Sequence, residues 1–109
     1  MGEVGYLDYR SNPGAYVYAR VLDGLVEAKL ALEMLSRGLM QNAAAKAFIS
    51  VKSIVSALVV NNISKLIEGK PDRERDWYEN IGYSAPTTGL IGISRDLGSW
   101  GLMWIGSLG

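Results

Sequence analysis

The chain contains no cysteine and no histidine. The first absence removes disulfide stapling and thiol chemistry. Together they exclude a zinc site built on cysteine or histidine, and any catalytic triad that needs an imidazole base. An all-carboxylate magnesium site stays chemically open, but no metal or cofactor is expected from the pattern. Net charge is missing too: 11 basic and 11 acidic residues sum to zero. That argues against a general nucleic-acid binder, although a local basic patch remains compatible with it. Residues Met1–Arg10 carry Glu3 and Asp8 and lack an apolar signal core. No long uninterrupted apolar run occurs. The most apolar stretch, Ile54–Val60, is broken by Ser56, with Lys46, Lys52 and Lys65 around it; a membrane span wants about 20 mostly apolar residues. The expectation is a cytoplasmic protein with no membrane span.

What is present is apolar and helical in period. The 109 residues suit one domain, and a hydrophobic content of 49% argues against disorder throughout. Three parts are expected: an irregular N-terminal segment (1–14) whose Tyr6, Leu7 and Tyr9 can dock on the domain, a helical bundle (15–97), and an apolar tail rich in glycine and tryptophan (98–109). The bundle is organised around Asn42–Glu68, a long helix whose cap is Asn42 and whose stop is Gly69. A first helix over Ala15–Ser36 precedes it, entered through Ser11-Asn12-Pro13-Gly14 and stopped by Gly38. Its Tyr18, Val21, Leu22, Leu25, Ala28, Leu32 and Leu35 recur at three- and four-residue steps and read as the core stripe, with Arg20, Asp23, Glu27 and Glu33 pointing away. Gly24 either weakens this helix or lets a neighbour come close.

So short a link between two long helices predicts an antiparallel hairpin. On the second helix Ala44, Phe48, Val51, Val55, Leu58, Asn62 and Leu66 mark one side, and Lys46, Ser50, Ser53, Ala57, Asn61, Ser64 and Glu68 form a small-or-polar strip. A short helix over Asp72–Asn80 and another from Thr87 or Thr88 to Leu97 complete an all-α, antiparallel up-down bundle with shorter C-terminal helices.

Few residues announce chemistry. Gly98 and Gly101 lack the Gly-Lys-Ser/Thr ending of a phosphate loop. Asp72, Glu74, Asp76 and Glu79 are interleaved with Arg73 and Arg75 and read as a solvated surface rather than a metal or hydrolytic site. Arg37, Lys46 and Lys52 are the candidate contacts for an anion, a nucleotide or a nucleic-acid backbone, against the commoner solubilising role. In the uncharged tail, Trp100, Leu102, Met103, Trp104 and Ile105 are a candidate interface, because large exposed apolar patches are uncommon in soluble monomers. A homo-oligomer, with a dimer favoured, or a protein partner follows from that.

One family pattern is visible. Ala19–Lys29 together with Leu35-Ser36-Arg37-Gly38 resembles the first helix and turn of HEPN-like proteins, and Asn42–Leu58 resembles their second helix. The resemblance is closest to the small archaeal PaREP class and covers roughly residues 16–68. It implies a HEPN-like bundle of four or five helices, often dimeric, in a family where some members are ribonucleases and others bind substrates or accompany nucleotidyltransferases. The ribonuclease branch uses an arginine, a polar residue and a histidine late in the chain. Arg95-Asp96 supplies the beginning of that motif and no histidine follows. The resulting expectation is a small helical interaction or accessory protein without catalysis of its own. The alternatives are a nucleotide- or RNA-associated accessory protein and a degenerate or unconventional HEPN-like ribonuclease.

Overall fold

The computed structural model describes residues 8–98, and among these no strand occurs. Helix α1 spans Pro13–Ser36, α2 Met40–Asn61, α3 Ile63–Ile67 and α4 Asp72–Asn80. Two 3-10 turns, Gly82–Ser84 and Thr87–Gly89, lead into α5, residues 90–98.

The entry and exit of α1 follow from its sequence. The Asn12 side chain accepts the Ala15 N–H at 3.1 Å, and Pro13, which has no N–H to satisfy, takes the first helical position. At the other end Gly38 sits at φ +77°, where the Leu39 N–H reaches the Met34 carbonyl and the Gly38 N–H reaches that of Leu35. This pairing closes orphan carbonyls and reverses the chain within residues 37–39. The second helix therefore starts at Met40, two residues before Asn42, and has no side-chain cap. It also does not run unbroken to Glu68. The Asn62 amide donates to the Leu58 carbonyl at 2.8 Å, while the Asn62 N–H is shared among the carbonyls of Leu58, Val59 and Val60. An asparagine side chain that competes for helical carbonyls bends the rod at this point.

The hairpin is antiparallel, as the period predicts, but the helices meet on the faces read as polar. Along the seam Gly24 faces Ser50 and Ile54, Glu27 faces Lys46, and Tyr16 faces Ser56. The buried residues of α1 are Tyr16, Gly24 and Ala31; those of α2 include Ala43, Ser53 and Ala57. The Ser50 hydroxyl donates to the Gly24 carbonyl at 2.7 Å. A Cβ added at Gly24 would lie 2.6 Å from the end of the Ile54 side chain, so the close approach that glycine permits is used. Two ion pairs line the same seam, Arg20–Asp23 at 3.4 Å and Glu27–Lys46 at 3.3 Å, all four side chains being half-buried.

The expected core stripe of α1 is consequently on the outside. Tyr18, Leu25 and Leu32 are 60–67% exposed, and Leu22 and Leu35 are exposed as well. Small residues allow the backbones to approach so closely that no leucine fits between them. The large side chains are then displaced by at least one residue, about 100° of turn, from the contact line.

The remaining elements cover one side of the hairpin. Val59 packs with Leu66, Tyr78 and Ile93, and Val55, Trp77 and Leu97 flank this cluster. A second cluster joins Val60, Tyr16 and Tyr9, with Tyr83 against it. Tyr9 docks as its sequence suggested: its hydroxyl donates to the Glu79 carbonyl at 2.6 Å, and Arg10 bonds the same carbonyl and the Asn80 side chain. The rings of Tyr9, Tyr16 and Tyr83 lie 4.4–6.2 Å apart, within the range of favourable aromatic pairs.

Ser56, fully buried, ties this layer together. Its hydroxyl donates to the Tyr83 carbonyl at 2.7 Å, which uses its only proton. The 2.8 Å contact with the Tyr16 hydroxyl therefore has tyrosine as donor. Ser56→Ala would leave both groups without a partner, at about 1–3 kcal/mol for each buried group. Chemical denaturation of Ser56→Ala is expected to show a loss of about 2 kcal/mol or more, whereas Ser84→Ala, at an exposed site, should lie within ~0.5 kcal/mol of the parent.

Candidate functional site

A two-helix surface stands out on the side of the hairpin that no other described element covers. Four buried seam residues are each followed in sequence by an exposed apolar one: Gly24 by Leu25, Ala31 by Leu32, Ala43 by Ala44, and Ala57 by Leu58. Half-buried Ser50 is followed in the same way by Val51. One step along a helix is about 100° of rotation. Viewed from one end, numbering advances clockwise on one helix and anticlockwise on its antiparallel neighbour. The two sets of residues therefore turn to the same side of the hairpin. With Leu35 and Met40 at the turn end they form an apolar face, on which Lys29, four residues after Leu25 and three before Leu32, is the charged neighbour on α1. Leu32 and Met40 are 67% and 64% exposed. Soluble monomers rarely leave an apolar patch larger than on the order of 300–600 Å², and this face, with six large side chains near half exposure, reaches that scale. Lys29 and Glu33 mark its edge on α1.

The basic residues singled out in the sequence do not converge. Arg37 is exposed at the hairpin turn. Lys46 is in the seam, paired with Glu27. Lys52 points to the covered side, where it donates to the Thr87 hydroxyl at 3.0 Å and sits 5.9 Å from the centre of the Phe48 ring. Arg95 and Asp96 also diverge. Arg95 is exposed, whereas Asp96 turns towards α4, where its Oδ2 accepts the Tyr78 hydroxyl at 2.5 Å and pairs with Lys70 at 3.2 Å. Trp100, Leu102, Met103, Trp104 and Ile105 lie outside the described residues. Among those described, no group of three or more acidic side chains is placed to hold a metal ion.

Helix α2 is long and apolar enough, by length and composition, to cross a membrane, and 33% of that stretch is buried here. The central helix of a packed hairpin meets the same criterion, which is the position α2 holds.

Three tyrosines are held protonated by their surroundings. Burial raises the phenols of Tyr9 and Tyr16 above the ordinary 10.0. Tyr78 is raised furthest, first by burial, then by its hydrogen bond to the Asp96 carboxylate and by that group's charge. A raised native phenol means that the unfolded chain loses its proton first on going alkaline. The stability these sites contribute is complete below the unfolded value of 10.0 and declines above it. The denaturation midpoint should hold steady from pH ~7 to 9 and fall beyond pH ~10. Tyr78→Phe should be less stable at neutral pH and show a shallower alkaline decline, measured by circular dichroism at each pH.

Comparison with curated proteins and with solved structures finds no match. The pattern of the Archaeal PaREP1/PaREP8 family does match, over residues 19–106, and so takes in both hairpin helices and the covering layer. By that match, which spans most of its length, the chain belongs to the PaREP1/PaREP8 family.

Proposed function

We propose that this protein is a small helical interaction or accessory module without catalysis of its own, HEPN-like in architecture, and that it works as a homodimer paired through the apolar hairpin face. The observation that carries the reading is the apolar side of the hairpin, where Leu25, Leu32, Val51 and Leu58 are left exposed among the described residues while polar groups occupy the seam beneath.

Two copies of the face make an isologous contact, which two-fold symmetry closes without leaving a residual apolar edge. Two hairpins laid together form a four-helix layer, the usual solution for helices with an unburied stripe. Lys29 and Glu33, exposed on α1, would be costly in lipid. This favours a protein partner over a bilayer and a cytoplasmic place for the module. The nucleotide or RNA reading is supported less, because Lys46 and Lys52 already have partners and face different ways. The nuclease reading is supported least, because Asp96 is engaged by Lys70 and Tyr78 and turns away from Arg95.

Sedimentation equilibrium at ~10–100 µM is expected to give a dimer. Val51→Glu places a carboxylate in both halves of the contact and should weaken pairing at least ~100-fold, or about 2.7 kcal/mol, with helicity retained. Arg37→Glu, outside the face, should leave the dimer intact. A parent chain that is monomeric throughout that range, or a Val51→Glu dimer of undiminished affinity, contradicts the reading.

A further inference from the structure

A second concavity, independent of the hairpin face, lies between α4 and α5. Gly89, Gly92, Ile93 and Asp96 are spaced i, i+3, i+4 and i+7, and so lie in one line along the N-terminal turn and body of α5. Because two of the four are glycines, a trough of about 470 Å³ is left beside Arg73, Glu74, Trp77 and Tyr78. That volume is within the range of small-molecule sites, on the order of 300–1,000 Å³. The two glycines differ. A Cβ at Gly89 would strike the Trp77 indole at 2.7 Å, so close packing accounts for that glycine. A Cβ at Gly92 would meet nothing within 4 Å. Glycine inside a helix is destabilising relative to alanine, and here no neighbour requires it. What Gly92 does is keep the trough floor open.

The trough is polar at one end and apolar at the other. Lys70, Arg73, Glu74 and Asp96 gather near the start of α4, while Trp77 and Gly89 close the far end. Asp96 uses Oδ2 for both Tyr78 and Lys70, and its Oδ1 has no protein partner among the described residues. Within the same residues, neither Arg73 nor Glu74 forms an ion pair. The lining itself holds one guanidinium and two carboxylates, with Lys70 paired to Asp96 beside it. A zwitterion can use the guanidinium and a carboxylate of this lining together, whereas a ligand with a single charge uses only one of them. We propose that this trough binds a zwitterionic small molecule with a flat apolar body, of the size of an aromatic amino acid. The ammonium meets Asp96 Oδ1 and Glu74, the carboxylate meets Arg73, and the ring lies over Gly92 and Ile93 towards Trp77.

The test is titration calorimetry on the full chain with L-phenylalanine and two analogues that each lack one charge, phenethylamine and 3-phenylpropionate. L-Phenylalanine is expected to bind saturably and at least tenfold more tightly than either analogue. Gly92→Leu, whose Cβ meets nothing within 4 Å and whose side chain enters the trough, should abolish binding while the thermal midpoint is kept or raised. Asp96→Asn should weaken L-phenylalanine and phenethylamine while leaving 3-phenylpropionate unchanged. No saturable heat with L-phenylalanine, equal affinity for an analogue, or binding retained in Gly92→Leu would each overturn the proposal. None of the trough residues belongs to the hairpin face, so failure here leaves the pairing reading untouched, and the reverse holds.

Discussion

The structure depends on how closely α1 and α2 approach each other. Gly24 opposite Ser50 and Ile54, with Ala31, Ala43, Ser53 and Ala57 along the same line, brings two backbones together without room for a large side chain. The Ser50–Gly24 hydrogen bond and the Glu27–Lys46 pair set their relative position along the seam. Half-buried pairs such as these contribute little net stability, because desolvation offsets much of the attraction. Their larger effect is on position: removing one member leaves the other charge without its partner, so they favour one alignment of the helices over its neighbours.

From that seam the two sides of the hairpin acquire different fates. On one side Ser56, Val59 and Val60 face the C-terminal elements, and Tyr9, Tyr16, Tyr78 and Tyr83 fill the space with rings whose hydroxyls, where buried, find partners. Tyr9 and Arg10, just before α1, form a strap across the end of α4. On the other side Leu25, Leu32, Val51 and Leu58, each one step after a seam residue, are exposed and apolar. An interaction module needs a rigid presenting element, and a hairpin already braced along its seam and on its far side supplies one. Membership of the PaREP1/PaREP8 family extends over the hairpin and the layer behind it alike.

Much of the architecture was legible in the sequence. The two long helices, the glycine turn at Gly38, the short helix over Asp72–Asn80 and the late helix up to Leu97 all follow from capping and period. The orientation of the hairpin was not, and the reason is specific. A search for the core takes the most apolar stripe as the inner one. Here the inner stripe is Gly24, Glu27 and Ala31 against Ala43, Lys46, Ser50 and Ala57, which scores as polar. A usable signal was present: small residues at three- and four-residue steps on both helices, with one acid, Glu27, and one base, Lys46, among them. The break at Asn62 was missed because it depends on one side chain competing for a carbonyl. Ser56 and Asp96 could not have been assigned their partners from spacing, since Tyr16, Tyr83 and Tyr78 are 18–40 residues away.

The absence of cysteine makes the orientation of the hairpin directly measurable, because any introduced thiol is the only one. Ala57, 3% exposed, lies in the seam, and Val51, 54% exposed, lies on the face. The decisive measurement is the rate of maleimide labelling of Ala57→Cys and Val51→Cys as a function of protein concentration. The account predicts that Val51→Cys labels at close to the unfolded rate in dilute solution and slows as the protein pairs, while Ala57→Cys is protected at every concentration. Protection of Val51→Cys in dilute monomer, with rapid labelling of Ala57→Cys, would show that the apolar face is the interior of the hairpin and would contradict it.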